Sequence, residues 1–298
     1  MRRLTNSWGV TVKALLAFLA CIFLSTSIAS AQTFSYVYSR VPNGMPDGTI
    51  WMATDDGSSD LQISVGEWPR LSPDGTQMVF HRGSNSDPTR NDLWVADFTT
   101  GNEMRVFSNP DFAVSYDWTA DSSQIVFDFA CGIYIMNSDG SSQRQLIGVD
   151  CFDDAPRLSP IDGTIVFHNL HFGLFLADPD GSNRRLIPNT MPNDLYPQWS
   201  PDAQWISFAR LNGDVLLNYF MIRPDGSELT QLTFFSPGDA SLGQVGQWTP
   251  DQSAVIAPVT TADGNGIYAI ATDGSGTLTP LPISPGDDAI WMGSVIPL

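Results

Sequence analysis

Short apolar runs alternate with polar turns along the chain from residue 34 onwards, and the alternation is repeated. In each repeat an apolar run leads into a turn that contains glycine, and a polar run then returns to an apolar residue. The turn recurs at intervals of 39 to 48 residues, at Gly57, Gly101, Gly140, Gly181, Gly226 and Gly274. Internal periods of this length are typical of repeated supersecondary units.

Each repeat predicts four short antiparallel strands. In the repeat that begins at Trp68, extended segments at 69–71 and 77–80 flank a turn, and two further strands follow at 92–96 and 104–107. Proline and aspartate inside a turn that ends in glycine are the residues that a tight turn needs. An aromatic residue precedes each turn glycine, and we expect these six side chains to pack between neighbouring sheets: Trp51, Trp94, Tyr134, Phe175, Phe220 and Tyr268.

The two ends of the repeat region complement each other. Residues 34–38 match a second strand without a first, and residues 289–292 match a first strand without the rest. Joining both ends in one sheet would complete a sixth unit and remove the open sheet edges. We therefore predict an all-β fold, a six-bladed β-propeller of four-stranded antiparallel blades whose ring is closed by strands from both termini.

The beginning of the chain has a different pattern. Three basic residues precede an apolar stretch from Ala14 to Leu24, and small residues follow it. This is the pattern of a secretory signal peptide. The apolar stretch is about half the roughly 20 residues that a membrane-spanning helix needs. We predict a signal peptide at 1–31, a single β-propeller domain at 32–298, and a location in the periplasm or outside the cell.

The charge of the chain narrows the choice of partners. The formal net charge is −18, 29 of the 32 acidic residues are aspartates, and Lys13 is the only lysine. Aspartate favours turns whereas glutamate favours helices, which agrees with a β-rich fold. The negative charge argues against nucleic acid and against an anionic membrane surface. We expect a protein partner, with a glycan as the alternative, no membrane insertion after signal cleavage, and a monomer.

Several segments resemble a known family. Leu71–Gly75, Trp199–Asp202 and Ile133–Gly140 are similar to the repeats of TolB-type propellers, which are described as WD-like or PD-type repeats. The resemblance covers nearly all of residues 32–298. TolB itself has an α/β domain before its propeller, and we expect none between the predicted cleavage site and residue 34. Prolyl-peptidase relatives add a hydrolase domain, but the chain has no Gly-x-Ser-x-Gly motif. The resemblance therefore implies the propeller module alone.

Two cysteines follow the predicted signal peptide. Cys131 falls between the second and third strands of its repeat, and Cys151 falls just beyond the fourth strand. In a propeller both kinds of loop lie at the same end of the ring. Two cysteines that meet in an exported protein favour a disulfide. Two buried free thiols are the alternative.

Histidines and aspartates provide the candidate metal ligands. His81 and His168 take the same repeat position and His171 follows, but their spacing is not the helical one that metal sites use. We therefore predict packing histidines and no metal site. Weak calcium binding is the one cofactor left open, because one connecting loop carries three carboxylates: Asp150, Asp153 and Asp154.

The innermost strands carry the candidate binding residues. One polar residue stands before the large apolar residue of each of these strands: Arg70, Asp117, Arg157, Gln198 and Gln247. Trp68, Tyr116 and Tyr196 lie one or two residues earlier, nearer the mouth of the channel. Arginine and aromatic residues at a concave mouth suit the binding of a protein segment or a glycan. The alternative is a structural network between blades.

We predict no catalytic residues, and the leading hypothesis is non-enzymatic. An exported propeller would act as a protein-binding scaffold through one face or the mouth of its channel. The competing hypothesis is a carbohydrate-active enzyme, a lyase or hydrolase that works in the channel. Asp117, Arg157 and His168 are the residues to test for that activity.

Overall fold

A computed structural model describes most of the chain after residue 33. The described residues are 34–41, 48–84, 87–108, 115–148, 151–212, 215–236, 238, 240–243, 246–261, 264–283 and 289–297. The predicted signal peptide at 1–31 lies outside them. No helix among them is long and apolar enough to cross a membrane.

All regular structure in the described residues is β-strand. In chain order the strands are β1 (Phe34–Val41), β2 (Thr49–Thr54), β3 (Asp60–Val65), β4 (Glu67–Leu71), β5 (Gln77–Ser84), β6 (Asp87–Asp97), β7 (Asn102–Phe107), β8 (Tyr116–Trp118), β9 (Gln124–Asp128), β10 (Ile133–Asn137), β11 (Arg144–Ile147), β12 (Asp153–Leu158), β13 (Ile165–Asn169), β14 (Gly173–Ala177), β15 (Arg185–Leu186), β16 (Asp194–Trp199), β17 (Ile206–Asn212), β18 (Val215–Ile222), β19 (Thr230–Gln231), β20 (Ala240–Leu242), β21 (Gln247–Trp248), β22 (Ala254–Thr261), β23 (Gly264–Ala271), β24 (Leu278–Pro280) and β25 (Ala289–Pro297).

The strands form six antiparallel sheets, the blades of a propeller. Blade 1 is β4–β7, blade 2 is β8–β11, blade 3 is β12–β15 and blade 4 is β16–β19, each in sequence order from the channel outwards. Blade 5 contains β20–β24, and its innermost position is divided, because β20 and β21 both pair with β22. Four strands per blade were predicted, and the extra short strand β20 was not.

Blade 6 closes the ring with both ends of the repeat region. Its order is β25, β1, β2 and β3, so that the last strand of the chain lies innermost beside the first. Tyr38 pairs with Met292, and Phe34 pairs with Pro297. The predicted closure is therefore confirmed. It covers the inner edge of β1, which would otherwise be open to a strand from another chain.

The hydrophobic core lies between the blades. Each of six clusters of buried side chains joins two neighbouring blades; Val79 and Leu93 of blade 1, for example, pack with Trp118 and Phe127 of blade 2. All six aromatic residues that precede the turn glycines pack, partly buried, against these clusters, as predicted. Blade-to-blade packing is therefore what fixes the relative positions of the loops.

The topology divides the loops between two faces. Loops between second and third strands, and the connections from blade to blade, lie at one end of the ring, which we call the mouth face. The hairpins between first and second strands, and between third and fourth strands, lie at the other end, which we call the turn face.

Candidate functional site

A disulfide joins two loops of the mouth face. Cys131 lies between β9 and β10 of blade 2, and Cys151 lies in the connection from blade 2 to blade 3; their sulfur atoms are 2.08 Å apart. The predicted pairing is thus present. A bond that closes a loop of 20 residues stabilises a fold by roughly 3 kcal/mol. Both cysteines are exposed, so the bond links two surface loops.

The polar residues of the innermost strands form one hydrogen-bonded network across the channel. Arg70 donates from Nη1 to Gln247 Oε1 at 3.0 Å and from Nη2 to Gln198 Oε1 at 2.9 Å. Arg157 donates from Nε to the same oxygen of Gln198 at 3.1 Å. Blades 1, 3, 4 and 5 are therefore joined directly. The fifth predicted residue, Asp117, instead accepts the backbone N–H of Leu158 at 3.0 Å.

The two arginines of this network are deeply buried. Arg70 is 6% exposed and Arg157 is 3% exposed. Burial lowers the pKa of both guanidinium groups, that of Arg157 to about 9, so Arg157 stays cationic at neutral pH. Because buried cations need hydrogen-bond acceptors, the glutamine side chains stabilise the arginines and link the blades across the channel. The network thus has the geometry of the structural alternative that the sequence left open.

The predicted aromatic residues pack beside buried histidines at the mouth end of the channel. The Trp68 and Tyr116 rings lie 5.1 and 5.2 Å from the ring of His81, and the Tyr116 hydroxyl donates to the Trp68 carbonyl at 2.5 Å. The Tyr196 ring lies 5.4 Å from His168 in the equivalent place between blades 3 and 4. His81 and His168 therefore occupy packing positions, 3% and 2% exposed.

A repeated backbone irregularity sets the direction of these strands at the mouth. Trp68, Ala155 and Tyr196 have left-handed φ values of 51°, 51° and 55°, and each precedes a proline. The pairing register of β4, β12 and β16 shifts at the same position. Such bulges bend a strand and re-aim its side chains. The proline that follows the bulged residue in all three strands was a visible sequence signal that the prediction did not use.

Two carboxyl groups meet beside this bulge, which the sequence did not predict. Asp128 ends β9 and Asp154 lies near the start of β12, and each carboxyl group shifts the pKa of the other. Asp128 also accepts the backbone N–H of Ser115. Two carboxyl groups that lie close together in a buried place disfavour each other's ionisation, because like charges repel.

The surroundings of the two carboxyl groups shift their pKa values in opposite directions. Burial, together with the hydrogen bond to Asp154 and its charge, raises the pKa of Asp128 well above its ordinary value. Burial also opposes ionisation of Asp154, but the hydrogen bond from Asp128 and the charges of His168 and Arg157 outweigh it and lower the pKa of Asp154. Asp128 therefore keeps its proton to a higher pH than Asp154.

His168 completes this group of titratable side chains. Its Nδ1 accepts the backbone N–H of Tyr196 at 3.3 Å, and its Nε2 lies 3.9 Å from Asp154 Oδ2. Burial lowers the pKa of His168 to about 4, so the imidazole is neutral at pH 7. With Nδ1 as an acceptor, the proton of the neutral ring is on Nε2 and faces the carboxylate.

The raised pKa of Asp128 predicts an unusual pH dependence of stability. A carboxyl group whose pKa is raised by folding stabilises the fold below its unfolded pKa, and the contribution is lost as pH rises through the folded pKa. A folded pKa that lies one above the unfolded pKa corresponds to about 1.4 kcal/mol. Asp128→Asn keeps the hydrogen bonds without a titratable group, so we expect it to raise the free energy of unfolding at alkaline pH. Urea unfolding across the pH range measures this.

Asp154→Asn is the matched control for that experiment. It removes the carboxylate that faces His168 and Arg157, so we expect lower stability at neutral pH rather than a gain. Equal effects of the two substitutions would contradict the opposite pKa shifts of Asp128 and Asp154.

The three predicted calcium ligands do not form one group in the described residues. Asp153 accepts hydrogen bonds from Asn169 Nδ2 and Arg184 Nη2, both at 2.7 Å, and is buried. Asp154 faces the mouth, and Asp150 lies outside the described residues. Among the described residues, no group of three or more His, Cys, Asp and Glu side chains is placed to hold a metal ion. Calcium binding by this loop stays a prediction.

Four large apolar side chains are exposed together on the mouth face of blade 3. Phe152 is 43% exposed, Leu170 48%, Phe172 55% and Met191 42%. The Leu170 N–H donates to the Phe152 carbonyl at 3.2 Å, and a side chain added at Gly173, next to Phe172, would touch the backbone of Met191. We call these four residues the apolar mouth surface. Contiguous exposed apolar residues on a soluble domain mark interaction sites.

The turn face carries much of the negative charge. Eleven aspartates in its hairpins accept hydrogen bonds from nearby Ser or Thr hydroxyls or backbone N–H groups. Partial burial raises the pKa of some of these carboxyl groups, but the hydrogen bonds stabilise the ionised form by more. The pKa is therefore lowered in all eleven: Asp56, Asp74, Asp97, Asp121, Asp139, Asp162, Asp180, Asp202, Asp225, Asp251 and Asp273. The two faces of the ring thus differ, with ordered anionic turns at one end and an apolar surface at the other.

Comparisons with known proteins agree on the fold. No protein-family model matches the chain. The chain is 28% identical over 194 residues to the protein TolB homolog of Chlorobium luteolum, which is 61% of this chain and 43% of that protein. The chain therefore spans less than half the length of this curated relative.

Solved structures extend the likeness to nearly the whole chain. The crystal structure of TolB from Acinetobacter baumannii matches with a TM-score of 0.71 at 15% identity, over 95% of this chain and 70% of that chain. Oligogalacturonate lyase from Vibrio parahaemolyticus matches with a TM-score of 0.51 at 11% identity, over 86% of this chain and 75% of that chain. At these identities the likeness is one of fold.

Proposed function

Because the chain forms a TolB-type β-propeller, we propose that it is a protein-binding scaffold and that its mouth face receives the partner. The observation that carries the proposal is the apolar mouth surface. Burying exposed Phe, Leu and Met side chains against a partner is favourable, at about 25 cal/mol for each Å² of apolar surface removed from water. The channel offers less, because Arg70, Arg157, Gln198 and Gln247 already bind one another.

The loops that present this surface are held in place before binding. Phe152 follows the disulfide-bonded Cys151 and packs its ring edge-on against His171 at 3.9 Å between ring centres. Beneath them, Asn169 is fully buried, donates to Asp153 and accepts the backbone N–H of His171. Loops that are already ordered lose less entropy on binding, which supports a binding role.

An exported location agrees with the exposed disulfide. Disulfides persist in the periplasm and outside the cell and are rare in the cytosol. The sequence pattern of residues 1–31 supports the same proposal. N-terminal sequencing of the protein recovered from cells should begin at Gln32, and an intact Met1 on the exported protein would contradict signal-peptide cleavage.

Site-specific photo-cross-linking tests the binding proposal. A benzophenone side chain at position 172 keeps an aromatic group in the apolar mouth surface. The same group at position 161 serves as the control, because Ile161 is 70% exposed but lies in a hairpin of the turn face. In an envelope extract we expect one dominant protein adduct at position 172 that is absent at position 161.

The captured protein must then bind in purified form. Phe172→Ser should weaken its affinity about tenfold, the loss typical of an interface anchor, while Ile161→Ser should leave it unchanged. Identical adducts at both positions, or equal affinities of the two variants, would show that the mouth face is not the binding site.

The carbohydrate-active alternative is favoured by one observation, the titratable group of Asp128, Asp154 and His168 near the mouth. A hydrolase is the less favoured form of this alternative. Glycosidases use two carboxyl groups about 5 Å or more apart, with room for a sugar or a water between them, whereas burial is the main cause of the raised pKa of Asp128. A lyase remains the form to test. Incubation with oligogalacturonate would give an unsaturated, ultraviolet-absorbing product, and the activity should disappear in His168→Ala and in Asp117→Asn.

A further inference from the structure

We propose that the apolar mouth surface binds a partner protein with a net positive charge, and that the partner docks through an apolar segment. This inference rests on the proposed function and adds the chemistry of the partner. It starts from the distribution of exposed apolar side chains. Ten large hydrophobic residues are exposed among the described residues, and four of them form this surface on blade 3. The others are Leu61, Met104, Ile161, Leu186, Leu229 and Phe234.

The ladder between β12 and β13 places a carboxylate next to the apolar side chains. Asp154 pairs with His168 in this ladder, and Phe152 and Leu170 lie two residues beyond them towards the mouth. The Asp154 side chain is surrounded by protein on most sides but keeps 44% of its surface exposed, so a partner can still reach its charge. A segment that covers Phe152 and Leu170 would bring its own polar residues against Asp154.

The neighbouring cations of this face already have counter-charges. Arg184 binds Asp153 at 2.7 Å, and Arg210 binds Asp194 at 2.6 Å. Arg157 is buried in the channel network. His168 is neutral at pH 7, and Asp154 is the exposed carboxyl group with the lowered pKa, so Asp154 brings a negative charge to the edge of the apolar surface. Lysine or arginine in a partner is the complement to that charge.

The net negative charge of the chain disfavours two other occupants of this surface. A second copy of this chain would bring another net charge of −18, and an anionic lipid surface would be repelled in the same way. A basic partner is attracted over a longer range and gains on-rate from that attraction. Apolar anchors beside lysine or arginine are therefore the chemistry that this face fits.

Synthetic peptides provide a defined probe of that chemistry. Three short peptides with the same leucines, alternating with lysine, glutamate or serine, are titrated into the full-length protein by fluorescence anisotropy. We expect saturable one-to-one binding of the leucine–lysine peptide, weaker binding of the serine peptide and no binding of the glutamate peptide. Phe172→Ser and Phe152→Ser should each weaken the leucine–lysine peptide about tenfold, and Ile161→Ser should not.

Other outcomes would overturn the inference. Binding that is equal in all variants would place the peptide on the anionic turn face. Self-association of the wild type that Phe172→Ser abolishes, measured by sedimentation, would make a second copy the occupant. Phe172-dependent binding to vesicles with anionic lipid would make it a membrane surface. Urea unfolding of each variant, expected to be unchanged at these exposed positions, keeps loss of binding separate from loss of folding.

This inference and the proposed function can fail separately. If cross-linking at position 172 captures a partner that is acidic, the function stands and the basic chemistry is wrong. If cross-linking captures no protein although the leucine–lysine peptide binds with the expected dependence on Phe172, the scaffold role is wrong and the chemistry of the surface stands.

Discussion

Gln198→Leu should lower the free energy of unfolding by about 3 kcal/mol, because it removes the acceptor that Arg70 and Arg157 share. Gln198 Oε1 accepts from Arg70 Nη2 at 2.9 Å and from Arg157 Nε at 3.1 Å. Hydrogen bonds to charged groups contribute roughly 1.5 to 3 kcal/mol each, and a buried cation that loses its acceptor cannot turn to water instead. Urea unfolding with the disulfide intact measures the loss.

Two further substitutions separate hydrogen bonding from packing. Gln247→Leu removes the acceptor of Arg70 Nη1, at 3.0 Å, and the neutral hydrogen bond that Gln247 Nε2 donates to Gln198 Oε1 at 3.3 Å. Because only one bond to a charged group is lost, we expect about half the effect. Gln198→Glu keeps the length and the accepting oxygens and places an anion between two cations. It should match or exceed the wild type at neutral pH. Because the two guanidinium groups would depress the pKa of this carboxylate, the gain should be lost as pH falls through the depressed value.

Two results would contradict this account of the arginine–glutamine network. If Gln198→Leu costs no more than Gln247→Leu, the two arginines do not depend on a shared acceptor. If Gln198→Leu weakens partner capture at position 172 without lowering stability, the network acts in binding rather than in linking the blades. We expect the reverse, a less stable ring with an unchanged mouth surface, since blade 3 keeps its own Asp153–Asn169–Arg184 contacts.

The sequence was sufficient for the fold because the determinants of a propeller are local and repeated. Turn residues and alternating apolar strands recur in every unit, and the unmatched strands at residues 34–38 and 289–292 could be joined in only one closed ring. The divided inner strand of blade 5 was missed. The segment that holds β20, Ala240–Leu242, is short and carries no repeat signal of its own.

The candidate site was less predictable because its parts meet only through blade packing. Asp128 and Asp154 belong to different blades, and the bulge at Ala155 brings them together. The polar ladder was identified, but whether Arg70 reaches across to Gln198 depends on the width of the ring. Exposed Phe152 and Phe172 did carry a signal, since aromatic residues within polar loops are unusual.

The turn glycines that define the repeat also limit what can replace them. Gly226 has a φ of +84°, and a Cβ at this position would lie 2.6 Å from the Pro188 carbonyl oxygen and 2.7 Å from Pro188 Cβ. Pro188 belongs to the preceding blade, so the third-to-fourth-strand hairpin of blade 4 packs directly on the outer part of blade 3. Gly226→Ala should therefore cost about 3 kcal/mol, roughly 1 from the left-handed backbone and the rest from the clash.

Gly75→Ala isolates the backbone part of that cost. Gly75 has a similar φ of +70°, but no atom lies within 4 Å of a Cβ placed there. Replacing glycine by alanine also restricts the unfolded chain, which stabilises the fold. This contribution is the same for both substitutions and cancels in the comparison. We expect Gly75→Ala to cost about 1 kcal/mol in urea unfolding. Equal losses for the two variants would mean that the repeat needs glycine only for its turn. A larger loss at Gly226 would show that this turn glycine also sets how closely blade 4 packs on blade 3.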